Sequence, residues 1–384
     1  MYSKIMYYRS SKKAKSTPSN FETIVSPVDT SLLLIICLLS IIGLMAVLSA
    51  SSSYGFSDQG DYFYYFKKQF VSFIVGFIFM GFFIRFNYKK LRQYIKPVSM
   101  VLLVLLICTM IMGRVAFGAS RWFLGMQPSE LAKPICIILM AMGLSECKKI
   151  VDPLFMSKIG TILALAALIL LQPNLSMFII IMVTMLAMCF VGGISFSLLF
   201  SGCVSFLSIA VLSIMHKAYQ SARITGWLDP WSDPNGKGYN LIQSWYAISS
   251  GGIFGVGFGA SKQKLLWLPF GYTDFIFAVI AEEFGFLGCL FLLGILIAFI
   301  HSGFMVAKRA SDRFGSLLAF GITFMIGFQA FINIGVATGV LPATGVTLPL
   351  ISYGGTSVVV TMAMIGILLN ISRYKIKRIN PYVK

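Results

Sequence analysis

The residue types that can do chemistry are concentrated in one polar interval of an otherwise apolar chain, residues 216–274. Asp274 stands at the end of this interval, where it enters a long apolar run. A carboxylate beside low-dielectric surroundings tends to have a raised pKa, which suits a general base. The same position also suits the N-cap of a helix beginning at Phe275, so the residues alone leave both interpretations open.

A second candidate is the pair Glu130 and Lys133 in GASRWFLGMQPSELAK, residues 118–133. Pro128 favours the first turn of a helix, and the i,i+3 spacing puts the two charges on one helix face. Ionisable groups at the start of an apolar span are costly unless they are matched. The pair is therefore either a functional site or an ion pair that fixes helix packing, and both can hold.

The glycine-rich run of residues 251–264, GGIFGVGFGASKQK, formally contains a dinucleotide-binding fingerprint. That fingerprint requires a preceding strand in a βαβ unit, which this chain gives no reason to expect. Close approach of two backbones, or a nest of N–H groups for a phosphate with Lys262 and Lys264 adding charge, is more credible. An ordinary flexible loop is an equal alternative.

Glu282 and Glu283 follow Asp274 along the apolar run. Eight residues of helix give about 12 Å of rise, so Glu282 is not expected to contact Asp274. We expect one of the two glutamates to pair with a base such as Lys133, or to line a polar cavity.

Membrane helices must position these residues. Apolar residues make up 58% of the 384 positions, charged residues make up 11%, and the mean hydropathy is +0.86. Soluble domains carry about 45–50% apolar and about 25% charged residues. The net charge of +18 does not indicate nucleic acid, because the basic residues stand in short runs between apolar segments, as the positive-inside rule expects. We expect an integral membrane protein.

Ten apolar runs are candidate spans of a bilayer, two of them short enough to be tilted, kinked or partly re-entrant. They lie near residues 30–51, 69–87, 97–113, 129–146, 158–172, 175–191, 195–215, 275–306, 315–337 and 353–371. With the N-terminus inside, ten spans put five basic clusters, which hold 20 of the 31 Lys and Arg, on the cytoplasmic side. The predicted fold is therefore an all-α membrane protein with ten transmembrane helices, both termini cytoplasmic, and a large outer loop between helices 7 and 8.

The predicted domains are a disordered basic cytoplasmic tail (1–28), a membrane domain (29–372) that includes the outer loop, and a second basic cytoplasmic tail (373–384). Two prolines and three glycines interrupt the apolar segment LPATGVTLPLISYGGTS, residues 341–357. Broken backbone at membrane depth is tolerated only against protein or a wet cavity. We therefore expect this segment to form a re-entrant wall of the same site.

Other chemistries are disfavoured. The seven cysteines lie within or beside apolar segments, which predicts neither a disulfide framework nor a metal cluster. The sequence contains no GxSxG, HExxH, P-loop or CxxC motif, so serine-triad hydrolysis and zinc chemistry are not expected.

Four motifs together resemble the SEDS family (shape, elongation, division and sporulation). They are GASRWFLGMQPSELAK, GWLDPWSDPNGKGYNLIQS, SKQKLLWLPFGYTDFIFAVIAEEFG and LPATGVTLPLISYGGTS, and the resemblance extends over residues 30–372. It is closer to the FtsW/SpoVE branch than to RodA. The resemblance implies a ten-span protein of the bacterial cytoplasmic membrane that polymerises lipid II into glycan strands at the outer leaflet during cell division. The implied partners are lipid II, a class B penicillin-binding transpeptidase, other division or elongation proteins and membrane lipids, but no nucleic acid.

By this resemblance, Asp274 corresponds to the catalytic aspartate of the family, and Glu130 and Lys133 correspond to its membrane Glu–Lys pair, so all three are expected to be catalytic. Tyr272 stands where the family often has His. The family's QPD-G-T pattern reads Gln172, Pro173, Asn174, Ser176 and Met177 in this chain. The change at Asn174 removes a carboxylate, so we assign no proton transfer to that position.

Sugar transfer from a lipid pyrophosphate needs a base for the attacking hydroxyl and positive charge for the departing pyrophosphate. We expect Asp274 to be the base. The residues expected to bind substrate are Arg121, Arg223, Lys262, Lys264 and Glu282. A divalent cation, Mg or Mn, could share the charge role, although no ligand cluster indicates one. Two alternatives remain: a transporter (flippase) of a lipid-linked cell-wall precursor, and a non-catalytic division scaffold.

Overall fold

Helices make up most of the structure, a computed structural model that describes residues 21–116, 119–123, 125–146 and 152–378. The helices are α1 (Thr30–Gln59), α2 (Tyr64–Arg85), α3 (Leu91–Met112), α4 (Pro128–Glu146), α5 (Pro153–Leu171), α6 (Leu175–Val191), α7 (Phe196–His216), α8 (Ala218–Leu228), α9 (Tyr239–Gly251), α10 (Ile276–Arg309), α11 (Arg313–Thr338) and α12 (Gly355–Arg373). Four short strands accompany them: β1 (Phe21–Val25), β2 (Arg114–Ala116), β3 (Ala119–Trp122) and β4 (Tyr374–Arg378). The predicted helical membrane class is confirmed.

Each of the ten predicted spans falls on one helix, α1 to α7 or α10 to α12. Within the described ranges, nine helices are long and apolar enough to cross a membrane. The remaining one, α6, is apolar but only 17 residues long. Because a span needs about 17 to 25 residues, α6 lies at the short limit and the total of ten stays a prediction.

The most buried helix is α4, at the centre of the bundle, and α11 and α12 are also largely buried. Helix α4 packs against α3, α5, α6 and α11, while α12 lies against α2, and α10 lies against α9 and α11. Most residues of α7 are exposed at the periphery, where it contacts α6 and α8. Exposed apolar faces of this kind suit contact with lipid, because the exposure of an apolar side chain to lipid tails carries no free-energy penalty.

The two ends of the described chain pair with each other. Strands β1 and β4 run antiparallel, with Phe21 opposite Arg378 and Val25 opposite Tyr374. The predicted disordered tail, residues 1–28, therefore extended too far, because its last part forms a strand whose partner lies at the other end of the sequence. Residues 1–20 and 379–384 of the two predicted tails lie outside the described residues.

The predicted outer loop, residues 216–274, is folded. It contains α8, a short 3-10 turn, α9 and a series of tight turns that lead to α10. The indole N–H groups of Trp227 and Trp245 donate to the carbonyl oxygens of Gly339 and Thr338 at 2.8 and 3.1 Å. Carbonyls at a helix C-terminus lack partners within the helix, so these bonds satisfy the end of α11 and hold the loop on it.

Helix α10 is broken at Gly285, which has φ 65° and ψ −165°. The glycine-rich run lies against this break. The N–H groups of Val256 and Gly257 donate to the carbonyl oxygens of Glu282 and Glu283, each at 3.0 Å. Inter-segment hydrogen bonds thus satisfy carbonyls where the helical ladder stops.

This packing decides between the interpretations of the glycine-rich run. A β-carbon at Gly255 or Gly285 would overlap the facing backbone, so the prediction of close backbone approach is confirmed. The alternative of a phosphate nest is wrong for Val256 and Gly257, because their N–H groups are already donated. The run follows α9 rather than a strand, so the dinucleotide fingerprint does not apply.

Candidate active site

A cavity of about 1030 Å³ opens between α2, α4, α6, α8, α9, α11 and the irregular segment before α12. Its charged lining residues, within the described part of the chain, are Lys67, Lys68, Glu130, Arg223, Lys237 and Asp274. Because four of these six side chains are cationic, the cavity favours an anionic ligand. The structure therefore brings together three of the predicted site residues, Glu130, Arg223 and Asp274.

Asp274 faces the cavity from the turn that precedes α10. The helix begins at Ile276 with Phe275 in the N-cap position, so Asp274 is not its N-cap. A β-carbon at Gly345 would lie 3.6 Å from Asp274 Oδ2 and 3.7 Å from Arg223 Nη2. The Asp274 carboxylate and the Arg223 guanidinium thus lie close together, next to Gly345, which has no side chain to separate them.

The wall opposite Asp274 is the irregular segment between α11 and α12. Residues 343–347 and 353–357 line the cavity. Ser352 Oγ donates to the carbonyl oxygen of Thr273 at 2.6 Å, and Gln69 Nε2 of α2 donates to the carbonyl oxygen of Ser352 at 3.0 Å. Side-chain donors thus bond to backbone carbonyl oxygens that have no partner within a helix. The prediction that this segment forms a wall of the site is confirmed.

Glu130 and Lys133 form an ion pair with an Oε2–Nζ distance of 2.6 Å on one face of α4. Glu130 lines the cavity, whereas Lys133 is fully buried and does not. Lys133 Nζ also donates to Gln329 Oε1 of α11 at 2.9 Å. The pair therefore both fixes helix packing and presents one carboxylate to the site.

Arg223 is held in place at the mouth of the cavity by its own helix and by the wall. Its Nη1 donates to the carbonyl oxygen of Ala343 at 3.2 Å, and its Nη2 bonds to the hydroxyl of Tyr219. The guanidinium carbon lies 4.5 Å from the centre of the Tyr219 ring. A guanidinium fixed in this way binds an oxyanion with little loss of entropy.

The remaining predicted substrate-binding residues lie elsewhere. Lys262 is exposed, and neither it, Lys264 nor Glu282 lines the cavity. Arg121 belongs to β3, and its side chain lies outside the described part of the structure.

A buried cluster, which we call the loop anchor, consists of Ser49, Ser261, Lys264, Glu282 and Glu283. Lys264 Nζ lies 3.1 Å from Glu283 Oε1 and 2.9 Å from Ser49 Oγ. Glu282 accepts from Ser261 Oγ at 2.5 Å and from the N–H of residue 262 at 2.8 Å. The prediction that one of these glutamates pairs with a base is confirmed for Glu283, but the base is Lys264 and not Lys133, which pairs with Glu130.

Four tyrosine rings pack together beside Asp274. The ring of Tyr272 has its centre 5.1 Å from that of Tyr54, 4.8 Å from that of Tyr65 and 5.7 Å from that of Tyr353. Burial raises the pKa of Tyr272, and the charges of Asp58 and Asp274 add to the shift. The phenol is therefore neutral at physiological pH.

Several lining residues have no counterpart among the predictions. Lys67 and Lys68 stand just before the predicted span 69–87 and were given no role, although two adjacent lysines at the edge of an apolar run suggest an anionic ligand or the lipid interface. Gln329 lines the cavity and Asn333, one turn further along α11, does not. Two polar residues one turn apart in an apolar helix are themselves an indication of function. Within the described part, no group of three or more His, Cys, Asp or Glu could hold a metal ion, so we derive no step through a cation.

Comparison with known proteins places this site in a family. A family model described as cell cycle protein, covering FtsW, RodA and SpoVE, matches residues 29–377. Stage V sporulation protein E of Bacillus subtilis is 37% identical over 356 residues, which is 90% of this chain and 97% of that protein. A probable peptidoglycan glycosyltransferase FtsW of Geobacter metallireducens is 38% identical over 353 residues, 90% of this chain and 94% of that one.

Solved structures agree with the sequence matches. A structure described as showing how a peptidoglycan synthase complex coordinates polymerization and crosslinking has a TM-score of 0.75 at 30% identity, over 90% of this chain and 98% of that chain. The rod shape determining protein RodA of Thermus thermophilus has a TM-score of 0.66 at 26% identity, over 90% and 97%. The chain is therefore a member of the FtsW/RodA/SpoVE family, a multi-pass protein of the bacterial cytoplasmic membrane.

Proposed function

We propose that this protein is a peptidoglycan glycosyltransferase that polymerises lipid II into glycan strands at the outer leaflet. The observation that carries the proposal is the placement of Asp274 beside Arg223 in a cavity whose charged lining is mostly cationic. A carboxylate next to cationic side chains suits a reaction in which a hydroxyl is deprotonated and an anion departs. Relatives named as probable peptidoglycan glycosyltransferases support the same activity.

In the proposed step, the hydroxyl oxygen of the acceptor sugar attacks the anomeric carbon of the donor. The bond between that carbon and the phosphate oxygen breaks, and its electron pair leaves with the lipid pyrophosphate. Asp274 takes the proton of the attacking hydroxyl and later releases it to water. No acid is needed at the leaving group, because a pyrophosphate is already a stable anion.

Arg223 is the group best placed to stabilise the departing pyrophosphate, because it lies on the same side of Gly345 as Asp274. Lys67, Lys68 and Lys237 add charge around the rest of the cavity. Charge fixed before the reaction stabilises the transition state without reorganisation at the moment of transfer.

The pairing of β1 with β4 supports the proposed topology. An antiparallel ladder between residues 21–25 and 374–378 supports an arrangement in which both segments lie on the same side of the membrane, with an even number of crossings. Nine helices qualify as spans in the described part of the chain, and we propose α6 as the tenth crossing. With the basic clusters inside, the cavity and the loop over residues 216–274 face outward.

One solved relative is described as a synthase complex that couples polymerization with crosslinking. We extend this to the present chain and propose a class B penicillin-binding transpeptidase as its partner. Co-purification of the full chain with such a transpeptidase from the same membranes is the expected result, and recovery of the chain alone would contradict it.

The activity is tested with purified protein in vesicles and labelled lipid II. Glycan strands are expected from the wild type, and Asp274→Asn is expected to lower the rate about 10³-fold, which is within the range of a lost general base. Asp229→Asn is the matched control, because Asp229 is exposed and does not line the cavity. Translocation of lipid II without polymer would favour a transporter, and neither product would favour a scaffold.

A further inference from the structure

Two buried amide side chains have no role in the reaction described above. Gln329 and Asn333 lie one turn apart on α11 and are 3% and 0% exposed. A buried amide destabilises a helix packed in an apolar bundle unless its polar atoms are bonded. The atoms to which these two amides bond therefore indicate what they do.

The chemistry of its partners fixes the orientation of Gln329. Lys133 Nζ can only donate, so it faces Oε1, at 2.9 Å. The carbonyl oxygen of Thr347 can only accept, so it faces Nε2, at 3.0 Å. Gln329 thus connects the Glu130–Lys133 ion pair to the irregular wall of the cavity.

Asn333 makes the second connection. Its Nδ2 donates to the carbonyl oxygen of Asp274 at 2.8 Å and to that of Val346 at 2.7 Å. Both N–H groups of the amide are therefore used, one on the turn that carries Asp274 and one on the irregular wall. Val346 adjoins Gly345, the residue above which the Asp274 carboxylate and Arg223 meet.

We propose that Gln329 and Asn333 are positioning residues for the transfer, which set the separation between the Asp274 carboxylate and the wall at residues 345–347. Gln329 holds the wall to α4 through Lys133, and Asn333 holds it to the turn that carries Asp274. Lys133 then acts on the reaction through Gln329 and not by touching substrate. This inference rests on the proposed glycosyltransferase function.

The test compares near-isosteric variants of the full chain with lipid II. Gln329→Met and Asn333→Leu are expected to lower kcat about 10²-fold, the effect of a small misplacement of reacting groups. KM is expected to change little, because the cationic lining is unchanged. Thr323→Val is the control: Thr323 is also buried in α11, but its hydroxyl donates only to the carbonyl oxygen of Ala319 in the same helix.

Two further variants keep the test decisive if the apolar substitutions do not fold. Gln329→Glu retains the size of the side chain and its bond to Lys133 but removes the N–H that Thr347 accepts. Asn333→Asp replaces the donor by a carboxyl that can donate only while it is protonated. Its activity, as a ratio to wild type at each pH, is expected to fall as pH rises, whereas the ratio for Asn333→Leu stays flat.

The charged groups that these contacts bring around the two amides are Asp274, Arg223, Glu130 and Lys133. None of them is changed in Asn333→Leu, so its ratio to wild type removes their titration. In Asn333→Asp the new carboxylate also raises the pKa of Asp274, which lowers the ratio on the acid limb, so the expected fall is read above that limb. Folded Gln329→Glu with wild-type kcat would overturn the inference. A parallel rise in KM and loss of thermal stability, without a change in kcat, would also overturn it. A wild-type protein that makes no polymer would instead refute the proposed function itself.

Discussion

Two groups of charged residues flank the first half of α10, and the structure uses them in opposite ways. Asp274 lines a cavity together with Arg223, and both side chains face Gly345. Glu282 and Glu283 are 2% and 3% exposed and are bonded within the loop anchor. In this apolar chain, a charged side chain is therefore a candidate for the reaction where it lines a cavity. A charged side chain that is buried and fully bonded is instead part of the structure.

The sharpest way to test this difference is to break the loop anchor. Lys264→Met leaves Glu283 buried without its cation, which is expected to cost about 3–5 kcal/mol of stability. Thermal unfolding in detergent measures the loss, and the rate per folded molecule is expected to stay near that of the wild type. The double variant Lys264→Met/Glu283→Gln is expected to recover most of the stability. A lost rate at full stability would show that the anchor takes part in the reaction.

The Glu130–Lys133 pair lies between the two cases, since one member lines the cavity and the other is buried. Exchanging the charges, Glu130→Lys with Lys133→Glu, keeps an ion pair but puts a carboxylate against Gln329 Oε1. We expect the exchange to leave kcat about 10²-fold below wild type, because the bond from residue 133 to Gln329 is lost. Polymerisation assays on folded protein measure it, and recovery to the wild-type rate would show that the charges matter only as a pair.

The cations can be compared in the same way. Arg223→Ala removes a guanidinium that lies beside Asp274, whereas Lys262→Ala removes an exposed charge outside the cavity lining. Loss of a charged hydrogen bond to the leaving group is expected to lower kcat about 10- to 100-fold for Arg223→Ala. Lys262→Ala is expected to keep the wild-type rate. Equal losses in both variants would contradict the placement of the leaving group at Arg223.

Composition and charge placement predict much of this fold, because each span is a continuous apolar run whose length the bilayer sets. The pairing of β1 with β4 could not be predicted, since it depends on contact between the two ends of the sequence. The break at Gly285 was also missed, because its backbone bonds come from a run that lies about 30 residues earlier and looks like a flexible loop.

The candidate site was predictable where a single residue carried the information. Asp274 stands at the boundary between a polar interval and a span, and Glu130 stands at the start of one. Lys264 was expected to bind substrate, and its place in the loop anchor could not be foreseen, because its partner Ser49 is on α1 and no local pattern joins them. Asn333 was missed because its bonds are to backbone oxygens, which every residue type presents alike.

The smallest expected effect concerns Tyr272, which is neutral beside Asp274 because its pKa is raised by burial. Tyr272→His puts a group with an ordinary pKa of about 6.5 in that place. Below that pH the imidazolium stabilises the ionised form of Asp274 and lowers the pKa of that carboxyl. The acid limb of kcat/KM is therefore expected to move to lower pH, while the rate above about pH 7 stays within about 3-fold of wild type.

Tyr272→Phe is the matched control, because it removes the hydroxyl but adds no group that titrates near neutrality. Its acid limb is expected to coincide with that of the wild type, since a phenol with a raised pKa is uncharged over the whole measured range. An acid limb that does not move in Tyr272→His would mean that the titrating group is not Asp274. In that case the contrast between a carboxylate that lines the cavity and the buried carboxylates of the loop anchor would no longer identify the base.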